Sequence, residues 1–307
     1  MKKARCFLTL IFLFLGLFCL GPLSAQEQAS SQEGPDQQIT DFSLTGFGEK
    51  GKKTWELSGQ SADIMVNEVK LKEVTGKVYG KQEDITLTAD QGNFDKNEGK
   101  VRLEKDVVVT SSGGMKLTTD YLDWDRDKQT VMTEALVNIE RDNMVTTATG
   151  ATCKTDLNKV NLEKDVTVEI KPQETPKGPA AKDKIVITCE GPMEIDYAKN
   201  IAIFNKNVKV SQKDMNLYSD IMEVYFIISD ENETKDADQA QDAALSPISG
   251  GRIDKIIAKG NVKIERGENV SYSEEAVFTA ADKKVVLLGK PRLIFYSEED
   301  FNAAFGN

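Results

Sequence analysis

An alternating strand unit that recurs about every thirty residues constrains this chain more than any other feature. Val101–Val109 carries apolar residues at alternate positions around Glu104-Lys105-Asp106, and Val160–Val168 repeats it around Glu163-Lys164-Asp165. Ile201–Val210 repeats it around Asn205-Lys206-Asn207, and Ala258–Ile264 around Lys259-Gly260-Asn261. Alternation of period two gives a strand one apolar face and one wet face. The polar triplets suit tight hairpin-like corners between two short strands. Val107, Val137, Val166, Val208, Val262 and Leu293 mark successive registers, and the two long intervals hold insertions at 171–183 and 229–250. Removing those insertions restores the period. A fixed period of this size means stacked supersecondary units that share one continuous interior. The inward side chains are aliphatic, with only two tryptophans in the chain, which suits a narrow apolar trough. Translation along an axis makes an open array more natural than a closed barrel.

The flanking segments set the compartment. Lys2, Lys3 and Arg5 precede an apolar run from Phe7 to Leu20, Gly21-Pro22 breaks it, and Leu23-Ser24-Ala25 resembles a cleavage site. Residues 1–25 are therefore expected to be a signal peptide or a membrane anchor, with the remainder exported. If the segment is cleaved after Ala25, the mature protein is soluble. Residues 26–38 read as a flexible tether, 229–250 as a disordered acidic insertion, and 297–307 as a C-terminal tail. The net charge is −11, and setting aside Lys2, Lys3 and Arg5 leaves −14 for the exported part. Such a surface repels phosphate backbones, so nucleic acid is excluded as a partner. An anionic lipid would have to be held by its tails rather than its headgroup.

The chain has no histidine. Histidine general bases and common zinc sites are thereby excluded, and no cofactor or metal is expected. Two of the four cysteines lie in the targeting segment. Cys153 and Cys189 could pair in an oxidising compartment, or could serve as two small buried apolar residues.

Several motifs then carry a likeness. Phe42–Leu57 resembles the opening of LptC, the periplasmic component of lipopolysaccharide export, and Leu87–Asp95 resembles its next signature. Gly113–Asp125 followed by Val137-Asn138-Ile139 matches a third. The likeness covers 39–170. Over 184–296, Ala258–Ile264 and Ala276–Leu287 resemble the related LptA/OstA repeat, from which the insertion at 229–250 departs. The resemblance implies an all-β, elongated, open twisted β-jellyroll of repeated antiparallel strand pairs around a V-shaped apolar groove. It also implies end-to-end assembly into a bridge across the periplasm. In this family one glycine near the start and one near the end of the LptC jellyroll matter for transport or complex formation. Gly51 and Gly150 occupy those places, where the plainer reading is a turn glycine with positive φ.

The expected ligand is the lipid A part of lipopolysaccharide, with acyl chains lying along Leu103, Val109, Leu117, Val137, Ile139, Leu162 and Val168, and along Ile187, Ile203 and Val210. The plainer reading is that these residues pack on each other as core. Open jellyroll ends expose strand edges that can dock another chain. The edge near Phe42–Leu57 is expected to meet the periplasmic domains of the inner-membrane Lpt ABC transporter. The edge near Leu287–Phe295 is expected to meet an LptA-like bridge subunit or the outer-membrane translocon. Two rivals remain at this point. One is a polysaccharide-active enzyme using Asp95, Asp123, Asp125 or Asp127, residues that also suit turns. The other is a structural or glycan-binding envelope repeat with a filled interior.

Overall fold

A computed structural model describes residues 36–48, 51–79, 84–125, 128, 130–154, 159–171, 184–227, 252–281 and 284–296. The targeting segment, most of the tether, the insertions at 172–183 and 229–250, and the tail lie outside the described residues. Among the described residues no helix is long and apolar enough to cross a membrane.

The described residues are all-β, with seventeen strands in one antiparallel sheet. The first compact unit runs to Thr133 and the second starts at Glu134. The first contains β1 (Gln37–Phe47), β2 (Lys53–Ile64), β3 (Glu68–Val78), β4 (Ile85–Asp95), β5 (Lys100–Ser111) and β6 (Lys116–Asp125). Strand β7 (Thr130–Arg141) crosses the division. The second unit contains β8 (Met144–Lys154), β9 (Lys159–Ile170), β10 (Ile185–Cys189), β11 (Met193–Asp196) and β12 (Ile201–Gln212). It continues with β13 (Met215–Ile227), β14 (Arg252–Arg266), β15 (Asn269–Thr279), β16 (Lys284–Leu288) and β17 (Arg292–Ile294).

The polar triplets are not hairpin corners, as their sequence suggested. Each lies inside one long strand and bends it. In β5 the backbone turns left-handed at Lys105 and Asp106, and pairing with β6 jumps between Glu104 and Val107. The same happens at Asp165 in β9, at Lys206 and Asn207 in β12, and at Gly260 and Asn261 in β14. An unpaired extra residue kinks a strand and sharpens its twist. One strand can then contribute to both sides of an interior. Two-residue hairpin turns fall elsewhere, at Asp142-Asn143, Lys213-Asp214 and Gly267-Glu268.

Two strands are broken outright where their neighbours bend. Segment β10 pairs with the Val166–Ile170 half of β9 and β11 with the Lys159–Leu162 half. Glu190-Gly191-Pro192 separates them. Segments β16 and β17 divide β15 in the same way around Gly289-Lys290-Pro291. Proline gives no ladder hydrogen bond, so it ends pairing at both places. A Cβ on Gly191 would sit 2.4 Å from the Glu163 carbonyl oxygen, and φ there is +95°. Only glycine lets the broken strand pass this close.

The largest core lies in the second unit. Leu162, Met193, Phe204, Met222, Ala258 and Ala276 meet in register across six strands on one side of the bends. Each is buried. Val168, Ile187, Val210, Leu217 and Ile264 form the matching row on the other side. Fully burying a side chain of this kind contributes about 1.5–3 kcal/mol. Val168, before the 171–183 insertion, and Phe204, after it, belong to one cluster.

Candidate functional site: an inward apolar face

The first unit carries two apolar rows of the same kind. One runs Ile39, Ala62, Leu71, Gly92, Leu103 and Leu122. The other runs Leu44, Leu57, Gly76, Leu87, Val109 and Leu117. Register partners project to the same face, so each row is continuous. Leu122 of the first row is buried with Ala89 and Val107, and Leu87, Leu103, Val109 and Val131 pack against this cluster.

The two rows differ in closure. A Cβ on Gly92 would meet Leu103 at 3.1 Å and both Leu71 and Val74 at 3.4 Å. A Cβ on Gly76 would meet nothing within 4 Å. The Gly76 row is nevertheless inward, because it shares its face with Leu87 and Val109. Leu44, Leu57, Leu87, Val109 and Leu117 are all half-buried rather than sealed. Inward aliphatic side chains beside open space form an apolar surface with room for more apolar matter.

The residues expected from sequence fall in three places. Leu103, Val109 and Leu117 line the first unit's face. Val137, Leu162 and Val168 are fully buried in the second unit, and Ile139, Ile187 and Val210 pack half-buried against the same cluster. Ile203 is a correction. It lies in register with Glu194 and Glu223, on the face opposite to buried Ala202 and Phe204. Two-residue alternation gives two candidate faces, and in this half of β12 the bulge leaves Ala202 and Phe204 inside. Leu44, Leu87 and Gly76 were missed, because only the pairing register brings them into one row.

Phe42 and Leu57 are half-buried on the inner face of β1 and β2, with the Phe42 ring against Gly59. Gly51 is exposed with φ +68°, and Gly150 is buried within β8 with φ +80°. Leu287 and Phe295 are half-buried. Around them Val285, Val286, Leu288, Leu293 and Tyr296 are exposed. Among the described pairings, β16 and β17 bond only to β15.

No disulfide joins Cys153 and Cys189. Cys153 lies opposite Val160 and Cys189 opposite Val166, on either side of the bend in β9. The bend thus holds apart the pair that a disulfide would need, and burial pushes the Cys189 thiol up.

The described aspartates raised for the enzyme reading serve local structure. Asp95 accepts hydrogen bonds from the backbone N–H of Asn97 and Glu98. Asp123 accepts two from Arg102. Asp125 pairs with Lys128 at 2.9 Å, which holds its carboxyl below the usual range. Asp127 lies outside the described residues. A shallow surface depression is lined by Asp90, Glu104, Lys105, Asp106, Asp120 and Tyr121.

Bent antiparallel strands around an aliphatic inner face define an all-β protein of the open-jellyroll class. Residues 7–171 match the family described as lipopolysaccharide-assembly, LptC-related, and the chain belongs to that family. Residues 192–307 match the LptA/(LptD N-terminal domain) LPS transport protein family. No curated protein matches the chain. The membership and this second match place it in lipopolysaccharide transport.

Proposed function

We propose that this protein carries lipopolysaccharide by laying the acyl chains of lipid A along its inward apolar face. The observation that carries this reading is the half-buried Leu57–Leu117 row, open at Gly76. Each methylene kept from water is worth about 0.8 kcal/mol, so exposing a twelve-carbon chain costs on the order of 10 kcal/mol. An aqueous crossing therefore needs a protein surface that stays with the chain, and no covalent step.

In this proposal the protein sits in the periplasm, held at the inner membrane by its N-terminal segment or released by cleavage after Ala25. Strand β1 faces the transporter's periplasmic domains, and the β16–β17 edge faces an LptA-like subunit or the translocon. The exposed apolar side chains along that edge favour a protein neighbour. Gly51 and Gly150 are assigned to complex formation on the strength of the family likeness.

Photocrosslinking amino acids at Leu57 and Leu117, with Lys116 as the outward control, test the carrier reading in cells. Adducts with lipopolysaccharide are expected at the two inward positions and not at the control. Equal labelling at all three, or none at the inward pair, refutes it.

A further inference from the structure

The outer face of the second unit carries a row of another kind. Lys209 of β12 lies opposite Tyr218 of β13, and Tyr218 opposite Lys263 of β14. Lys263 lies opposite Tyr272 of β15, and Tyr272 opposite Arg292 of β17. Cations and phenol rings thus alternate strand by strand on one face. Lys209 and Lys263 each place the ammonium 5.6 Å from the centre of the Tyr218 ring. The Arg292 guanidinium lies 4.8 Å from the centre of the Tyr272 ring. Their chain neighbours Val210, Leu217 and Ile264 belong to the inner row, so this one points outward. Both tyrosines are half-exposed, and Lys209 and Arg292 are exposed. Glu265 pairs with Lys263 on the same face and also acts on Lys209 and Tyr218, so three cations of the row face one carboxylate and the row keeps a positive balance.

Three aligned cations stand out on a chain whose net charge is −11. Half-exposed phenol rings give the C–H faces of sugar rings the part of their surface that the cations leave open, and the cations between them attract phosphate or carboxylate. Adjacent strands lie about 4.8 Å apart, so like groups recur at about 10 Å, the spacing of alternate units in an extended chain of rings. The acidic remainder of the molecule disfavours the dense phosphates of a nucleic acid.

We infer that the Lys209–Tyr218–Lys263–Tyr272–Arg292 row binds an anionic oligosaccharide, phosphorylated or bearing uronic acids, lying across the strands. The site needs no acyl chain and stands apart from the lipid-carrier reading. The sugar is either the glycan portion of a lipopolysaccharide or a free envelope polysaccharide.

The test is titration of the purified protein, followed by calorimetry, with three soluble probes. These are deacylated phosphorylated core oligosaccharide, the same material after dephosphorylation, and polygalacturonate oligomers. Saturable binding of either anionic probe is expected, and which one binds identifies the source. Dephosphorylation should weaken a phosphate-dependent interaction at least about tenfold. Lys209→Gln with Arg292→Gln, both at exposed positions, should weaken it to a similar degree and flatten its salt dependence. Tyr218→Leu with Tyr272→Leu should do the same in affinity, while Tyr218→Phe, which keeps the ring, should stay within about twofold. Melting temperatures of all variants check folding. No saturable binding of either anionic probe, or affinity unchanged in both folded double variants, overturns the proposal. Since no probe has tails, its failure leaves the acyl-chain reading untouched.

Discussion

Gly76, Gly92 and Gly191 hold three different kinds of place, and a methyl group distinguishes them. At Gly191 an added Cβ runs into the Glu163 carbonyl, and φ lies where side chains are strained. Gly191→Ala should therefore cost about 2 kcal/mol or more, measured by urea unfolding. At Gly76 the backbone is ordinary and the space is empty. Gly76→Ala should be neutral or stabilise by about 0.5 kcal/mol. Gly76→Phe should keep the fold while lowering lipopolysaccharide adducts at Leu57 and Leu117, since the ring would occupy the room the acyl chain needs. A variant that folds and labels as before would show that the gap is not used. Gly92 is intermediate, since Leu103 must give way by a few tenths of an ångström before a methyl group fits.

At the level of elements, the bends set what each strand can do. Deleting Lys206 from β12 removes the extra residue that offsets pairing with β13 between Asn205 and Val208. A one-residue slip turns alternate side chains to the opposite face. Val208 and Val210 would rotate outward or drag β13 with them. The deletion is expected to abolish cooperative unfolding, which thermal circular dichroism reads directly, whereas Lys206→Gly should be tolerated. These elements also show how far the sequence alone can be read. Period two located the long strands, and the repeated triplets located the bends in β5, β9, β12 and β14, because both are local patterns; the left-handed residues Asp41 in β1 and Glu73 in β3 carry no such signal. Whether a triplet closes a hairpin or kinks a continuous strand depends on what pairs with it, and Glu104-Lys105-Asp106 suits either. The same limit moved Ile203 to the outer face. The row through Leu57, Gly76 and Leu87 was illegible for a related reason, since its members are separated in sequence and a glycine gives no apolar signal.

For the whole chain, likeness and packing draw different boundaries. The LptC-related match ends at residue 171, while the compact units divide between Thr133 and Glu134. Strand β9 lies on one side of the first boundary and the other side of the second. It bonds to β8 on one flank and to β10 and β11 on the other. Its inward residues Leu162 and Val168 pack with Met193, Phe204 and Val208. A fragment ending at Lys171 would leave that flank unpaired and those side chains in water. Such a fragment is expected to bind hydrophobic dyes and self-associate, with fast amide exchange along β9. Slow exchange there in a monomeric fragment would show that the family boundary is also a folding boundary.

The interruption at Gly289-Lys290-Pro291 bears on who can join the chain's far margin. A long straight β-segment from an unrelated protein could zip onto only one short stretch before Pro291 stopped it. A visitor carrying its own kink at the matching point could engage both stretches at once. Under the assembly proposed above, this margin would admit shapes like itself and turn away the flat sticky strands that nucleate fibres.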